Sequence, residues 1–146
     1  MNNVKYTFID LFAGAGGLSE GFIKAGFHPI AHIEMKKDAC HTLKTRSAFH
    51  YLKANNQLYV YEEYLRNKVE KTDGSALWSK VPSEIINATI CATIGEKTIN
   101  DIFQKVDCLK GDQNVDLIIG GPPCQAYSVA GRARMGKAVE EDPRNE

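Results

Sequence analysis

Apolar residues recur along this chain with two different periods, and glycines mark the places where one period gives way to the other. "YTFIDLF" (residues 6–12) is rich in aromatic and β-branched residues and reads as a β-strand, which "AGAGG" breaks. "LSEGFIKAGF" then sets Leu18, Phe22 and Ala25 on one helical face before Gly26 ends the helix. "HPIAHIEM" (residues 28–35) is a second short strand. "KKDACHTLKTRSAFHYLKANN" after it is helical, with Ala39, Leu43, Ala48 and Leu52 roughly in phase. Strand, helix and strand in that order make a βαβ unit with parallel strands and a right-handed crossover.

Residues 53–93 read as a helical insertion, because "QLYVYEEYLRNKVEK" and "VPSEIINATICATIG" both suit helices and "TDGS" between them is a turn. "INDIFQKV" is one more short helix. "NVDLIIGG" then brings the apolar run Leu117-Ile118-Ile119, whose length and β-branching predict a strand buried on both faces. The fold class expected is α/β: the beginning of a doubly wound parallel sheet, interrupted by the helical insertion. The last stretch, "AGRARMGKAVEEDPRNE", is polar and glycine-punctuated, with neither a strand nor a good helix. Since a domain usually ends on a docked element, the expectation is that residues 1–146 are the N-terminal part of a larger domain.

Composition narrows the class. With 43% hydrophobic and 25% charged residues, the chain is an ordinary globular domain, and neither disorder nor a membrane span fits it. The N-terminus lacks the charged, apolar and cleavage regions of a secretion signal, so a cytoplasmic location is expected. Eighteen basic and eighteen acidic residues cancel, which leaves no global attraction to nucleic acid; any such binding has to be local. Cys40, Cys91, Cys108 and Cys124 never form a C-x-x-C pair. No metal knuckle or redox dithiol is therefore expected, and the first three read as small apolar core residues.

The glycines at 14, 16, 17 and 21 stand directly after a strand and before a helix, where backbone amides and the positive end of the helix dipole approach a ligand closely. A dinucleotide fingerprint would need glycine at 19, where the sequence has Ser19, so a nicotinamide oxidoreductase fits poorly. With Phe12 beside them, the close glycines suit a bulky, less anionic ligand such as an adenosyl sulfonium. Glu34, at the end of the second strand, has roughly the ~20-residue spacing at which an acid reaches ribose hydroxyls. It also reads as a solvated charge opening a helix.

The strands of an open parallel sheet present their carboxyl ends to one crevice, so the glycine turn, Glu34 and Cys124 should share a rim. A thiol there, behind the restrictive prolines of "GGPPCQAYS", is placed to react with whatever the turn binds.

At these residues the chain resembles the N-terminal part of a DNA (cytosine-5)-methyltransferase. "DLFAGAGGLSEGF" is similar to that family's first motif and "GGPPCQAYSVAGR" to its catalytic motif. The resemblance implies a Rossmann-like fold using S-adenosyl-L-methionine, with Phe12, Ala13, Gly14, Gly16, Gly17, Leu18, Glu34, Met35 and Pro122 around the cofactor. It implies a further acid near the adenine, either Glu96 or Asp101. Cys124 would be the nucleophile, flanked by Pro123 and Gln125. It would add to carbon 6 of cytosine so that carbon 5 can accept the methyl group, and would leave once the carbon-5 proton is lost.

Double-stranded DNA is the implied partner, within a restriction–modification system, with the target base extruded from the stack. Ser128, Gly131, Arg132, Arg134 and Lys137 would meet nucleic acid from a mobile loop over residues 126–146. The family's glutamate and arginine motifs and its recognition domain are not found in these residues, so methylation is expected to need the remainder of the enzyme or a second subunit. The same motifs fit a tRNA cytosine methyltransferase, and a non-catalytic cofactor-binding subunit of a split enzyme is a further reading.

Overall fold

A computed structural model describes residues 6–67 and 74–122. β1 (Thr7–Leu11), α1 (Gly17–Lys24) and β2 (His28–Glu34) follow one another closely. Next come α2 (Lys37–Ala54), α3 (Leu58–Arg66), α4 (Ser75–Trp78) and α5 (Ser83–Asn87), then β3 (Thr89–Cys91), α6 (Ile99–Lys110) and β4 (Leu117–Gly120). The four strands are parallel in the order β3-β2-β1-β4. The chain thus winds outward from β1 through β2 to β3 and then returns to the other side of β1, which puts the switch point of a doubly wound sheet between β1 and β4.

Alternation along β1 sorts the layers. Phe8 and Asp10 face α1, through the Phe8–Phe22 ring contact and a hydrogen bond from Ser19 to Asp10. Ile9 points the other way, into a core with Ile33, Ile90 and Ile102 of α6. A second cluster of Ala48, Leu52, Leu77 and Val81 holds α2 against the segment that follows. Trp78 fastens this segment, donating to Thr45 Oγ1 at 3.2 Å and lying against His41.

Four expectations from the sequence change. The helix expected within residues 81–95 ends at Asn87, and Thr89-Ile90-Cys91 turns into the edge strand β3. The helical insertion is therefore shorter than 53–93, because two β-branched residues find a partner in β2 that local propensity cannot see. The inner face of α1 is Ser19 with Phe22 and Ile23 partly covered, while Leu18 lies 49% exposed. In α2 it is Cys40, not Ala39, that is fully buried. β4 is not buried on both faces: Ile118 is 62% exposed, and among the described residues β4 pairs only with β1.

Candidate functional site

The rim at the carboxyl ends of the strands is assembled by register. Leu11 lies opposite Ile33 on one side and Gly120 on the other, and Glu34 lies opposite Cys91. Gly120 is required by this closeness, since a Cβ there would stand 2.5 Å from the Leu11 carbonyl oxygen.

β1 ends one residue earlier than the sequence pattern predicts. Phe12 takes a left-handed φ of 57°, rare for a bulky residue, and Gly14 and Gly16 follow at 55° and 82°. The turn is held by Ala13 N–H donating to the Ile33 carbonyl at 3.0 Å and Gly16 N–H to the Ala13 carbonyl at 2.9 Å. Gly16 is packed from below: a Cβ on it would meet Leu43 Cδ2 at 2.9 Å. Gly14 and Gly17 face open space instead, with nothing within 4 Å of such an atom.

Glu34 is 8% exposed, so it is not a solvated charge. Its Oε2 accepts from Gly14 N–H at 2.8 Å and its Oε1 from Lys36 N–H at 2.8 Å, which ties the turn after β1 to the turn after β2. Phe12 in the turn after β1, Leu18 in the first turn of α1 and Met35 just after β2 are 37%, 49% and 49% exposed, large apolar side chains on the segments that follow the strand ends. Cys40 donates to the Glu34 carbonyl at 3.2 Å, and burial, with Cys91 as its neighbour, pushes its thiol up to about 12. Cys40 is thus an inert packing residue, as expected. Cys91 and Cys108 are exposed, contrary to expectation, because one ends an edge strand and the other lies on the outer side of α6.

Glu96 lies exposed in the turn after β3 and Asp101 lies exposed in the first turn of α6. Pro122 is exposed just after β4. Pro123, Cys124, Gln125, Ser128, Gly131, Arg132, Arg134 and Lys137 fall outside the described residues.

Two groups were not anticipated. Asp10 and Ser19, 1% and 2% exposed, join β1 to the first turn of α1 through the Ser19 hydroxyl and Asp10 Oδ2. Among the described residues Asp10 Oδ1 is buried without a partner, and burial, opposed by the hydrogen bond from Ser19 and reinforced by the charge of Glu34, raises the carboxyl above its usual range. An acid inside the apolar strand "TFIDLF" was the available signal. The other group is Glu20, which receives Arg46 Nη2 at 2.6 Å and pairs with His50 Nε2 at 2.8 Å. It ties α1 to α2 behind the glycine turn, and only the fold brings those residues together.

Set beside known proteins, the sequence that builds this site has a family. A family model described as C-5 cytosine-specific DNA methylase matches residues 6–57 and 63–145. The chain belongs to the C-5 cytosine-specific DNA methylase family. A type II methyltransferase of Bacillus paralicheniformis, M.Bpa9945I, is 42% identical over 154 residues, covering 94% of this chain and 35% of the relative. M1.HphI of Haemophilus parahaemolyticus, also a type II methyltransferase, is 27% identical over 95% of this chain and 26% of its own length. M.Eco47II of Escherichia coli is 29% identical over 90% of this chain and 20% of its own length. The chain spans between 20% and 38% of the length of these curated relatives. No solved structure matches the chain. Among the described residues no helix is long and apolar enough to cross a membrane, and no cluster of three metal-ligating side chains occurs.

Proposed function

We propose that this chain supplies the cofactor turn and the nucleophile of an enzyme that transfers a methyl group from S-adenosyl-L-methionine to carbon 5 of cytosine in double-stranded DNA, within a restriction–modification system. The observation that carries the reading is the bridge from Glu34 to Gly14, which holds a strained, open turn beside three exposed apolar side chains. Open space at Gly14 and Gly17 admits a ligand backbone. Phe12, Leu18 and Met35 offer apolar contact to its purine. The free lone pairs of Glu34 accept from ribose hydroxyls, and Glu96 or Asp101 stands on the side of β3 for the adenine. The cofactor, when bound, supplies an electrophilic methyl group.

Cys124 follows the last residue of β4 by four positions in the sequence, and its thiolate is proposed as the group that attacks carbon 6 of an extruded cytosine. Gln125 lies next to it, and Ser128, Gly131, Arg132 and Arg134 are proposed to contact the nucleic acid. The general acid for the ring and the sequence-reading surface are assigned to the remainder of the enzyme or a second subunit.

The test has two arms. Equilibrium dialysis against S-adenosyl-L-methionine should show saturable binding that Glu34→Ala weakens at least tenfold. The complete enzyme that contains these residues should form a covalent adduct on DNA containing fluorocytosine, lost in Cys124→Ser and absent on the matching RNA. Binding indifferent to Glu34, or an adduct that survives without Cys124, would sink the proposal.

A further inference from the structure

Arg46 packs behind the glycine turn. A Cβ built on Gly16 would lie 2.9 Å from Leu43 Cδ2, 3.4 Å from Arg46 Nε and 3.6 Å from Arg46 Cδ, so two side chains of α2 form the seat on which Gly16 rests. The arginine stem belongs to that seat, and its headgroup reaches on to α1. There Nη2 donates to Glu20 Oε2 at 2.6 Å, and His50 Nε2, one helical turn further along α2, pairs with the same oxygen at 2.8 Å. Glu20 is tied back to the turn by its own N–H, which donates to the Gly16 carbonyl at 3.0 Å. Lys24 approaches the other carboxylate oxygen at 3.4 Å, but it lies on the same helix as Glu20 and is 74% exposed, so it joins nothing across to α2.

The turn is thus held at two points. Glu34, at the end of β2, takes the N–H of Gly14, and Arg46, on α2, closes on Gly16 through Glu20. An ion pair whose side chains are 37% and 23% exposed adds only modestly to folding stability, since water screens it and two long side chains must be ordered to form it. What it fixes is geometry. Phe12, Gly14 and Gly16 all take left-handed φ, and backbone of this kind keeps its shape only where its surroundings impose it. A ligand that lies along such a turn binds tightly when the turn already has the bound shape, because ordering it on binding subtracts from affinity.

Resting on the reading above, we propose that Arg46 is a positioning residue for S-adenosyl-L-methionine: braced by Glu20 and His50, it holds the turn at Gly16 in the shape the cofactor requires. It acts through the turn and touches no reacting atom. Cofactor affinity depends on the brace, and the chemistry at cytosine and the grip on DNA do not.

The complete enzyme that contains these residues tests this with variants that separate stem from headgroup. Arg46→Met keeps an unbranched stem beneath Gly16 and removes the ion pair, whereas Arg46→Lys keeps a cation for Glu20. We expect Arg46→Met to raise the KM for S-adenosyl-L-methionine, and its dissociation constant in equilibrium dialysis, about fivefold, with kcat and the KM for DNA changed less than about twofold. Arg46→Lys should restore most of the affinity. A variant that merely folds less well lowers kcat per total enzyme and leaves both KM values in place, so the split between KM and kcat tells positioning from stability.

Unchanged cofactor affinity in Arg46→Met, or an equal rise in both KM values, overturns the role of Arg46 and leaves the cofactor reading standing. A wild-type enzyme without saturable binding of S-adenosyl-L-methionine overturns that reading, and the role of the brace with it. Should Arg46→Met not fold, Glu20→Gln neutralises the brace from the α1 side at constant size. It is expected to give the same selective rise in the KM for S-adenosyl-L-methionine, and an unchanged KM there overturns the proposal.

Discussion

Glu34 Oε2 sits 2.8 Å from the amide of Gly14, twenty residues earlier in the chain, and so one buried carboxylate joins the two turns at the carboxyl edge of the sheet. Glu34→Gln removes the charge and sets an amide NH2 against one of two backbone N–H donors. An expected loss of about 1–2 kcal/mol in folding stability follows from the mismatched donor, readable as a lower urea midpoint at unchanged slope.

Gly14 answers for the other end of that bond. Its φ of 55° strains any other residue, yet the space around it is open. Gly14→Ala should therefore cost only about 1 kcal/mol of stability, while its methyl group intrudes where the ligand backbone passes. The measurement that checks this is a pair of titrations, urea for folding and S-adenosyl-L-methionine for binding, with the larger loss expected in binding.

His32 is 3% exposed, with Nδ1 unpaired among the described residues, and burial, followed by the nearby charges of Arg46 and His50, lowers it from 6.5 to about 4. The folded chain thus holds it neutral, whereas the unfolded chain protonates it near 6.5. Its stabilisation is complete above pH 6.5 and drains away as pH falls toward 4, by at most about 3 kcal/mol. His32→Phe, packed against the edge of Phe8, should flatten thermal stability across that interval.

Glu20 works in a lower window. Hydrogen bonding from His50, opposed by burial and reinforced by hydrogen bonding from Arg46 and the charges of both partners, lowers its carboxyl from 4.5 to about 2. Stability from this group is present above pH 4.5 and is lost as pH falls through about 2. Because 23% of the side chain remains in water, the contribution is about 1–2 kcal/mol rather than the full shift. Glu20→Gln should lower the melting temperature at pH 7 and shallow the acid limb between pH 4.5 and 2.

Gly74 carries a φ of 89°, and a Cβ on it would meet the Trp78 ring at 2.6 Å. Gly74→Ala should cost about 2–3 kcal/mol by displacing the ring. Trp78 is the only tryptophan, so its fluorescence reports the change directly, as a shift toward the spectrum of solvated indole.

Local chemistry made much of this legible beforehand. The change of period at "AGAGG", the acid at Glu34 and the pattern of apolar runs placed β1, α1, β2, α2, α6 and β4 in order, because each is set by neighbours within a few residues. β3 escaped because three residues are too few for a periodic signal, and their state was decided by pairing with β2.

The sequence by itself determined that the chain is α/β, that a glycine turn follows its first strand, and that an acid closes the second. Those properties follow from backbone sterics and side-chain periodicity, which act over short stretches of chain. Only the tertiary structure decided that β4 lies beside β1, that Ser19 meets Asp10 instead of merely spoiling a fingerprint, and that Glu20 binds Arg46 and His50. Those contacts depend on which faces the sheet and the right-handed crossovers bring together, and residues nine to thirty positions apart carry no mark of it in their order.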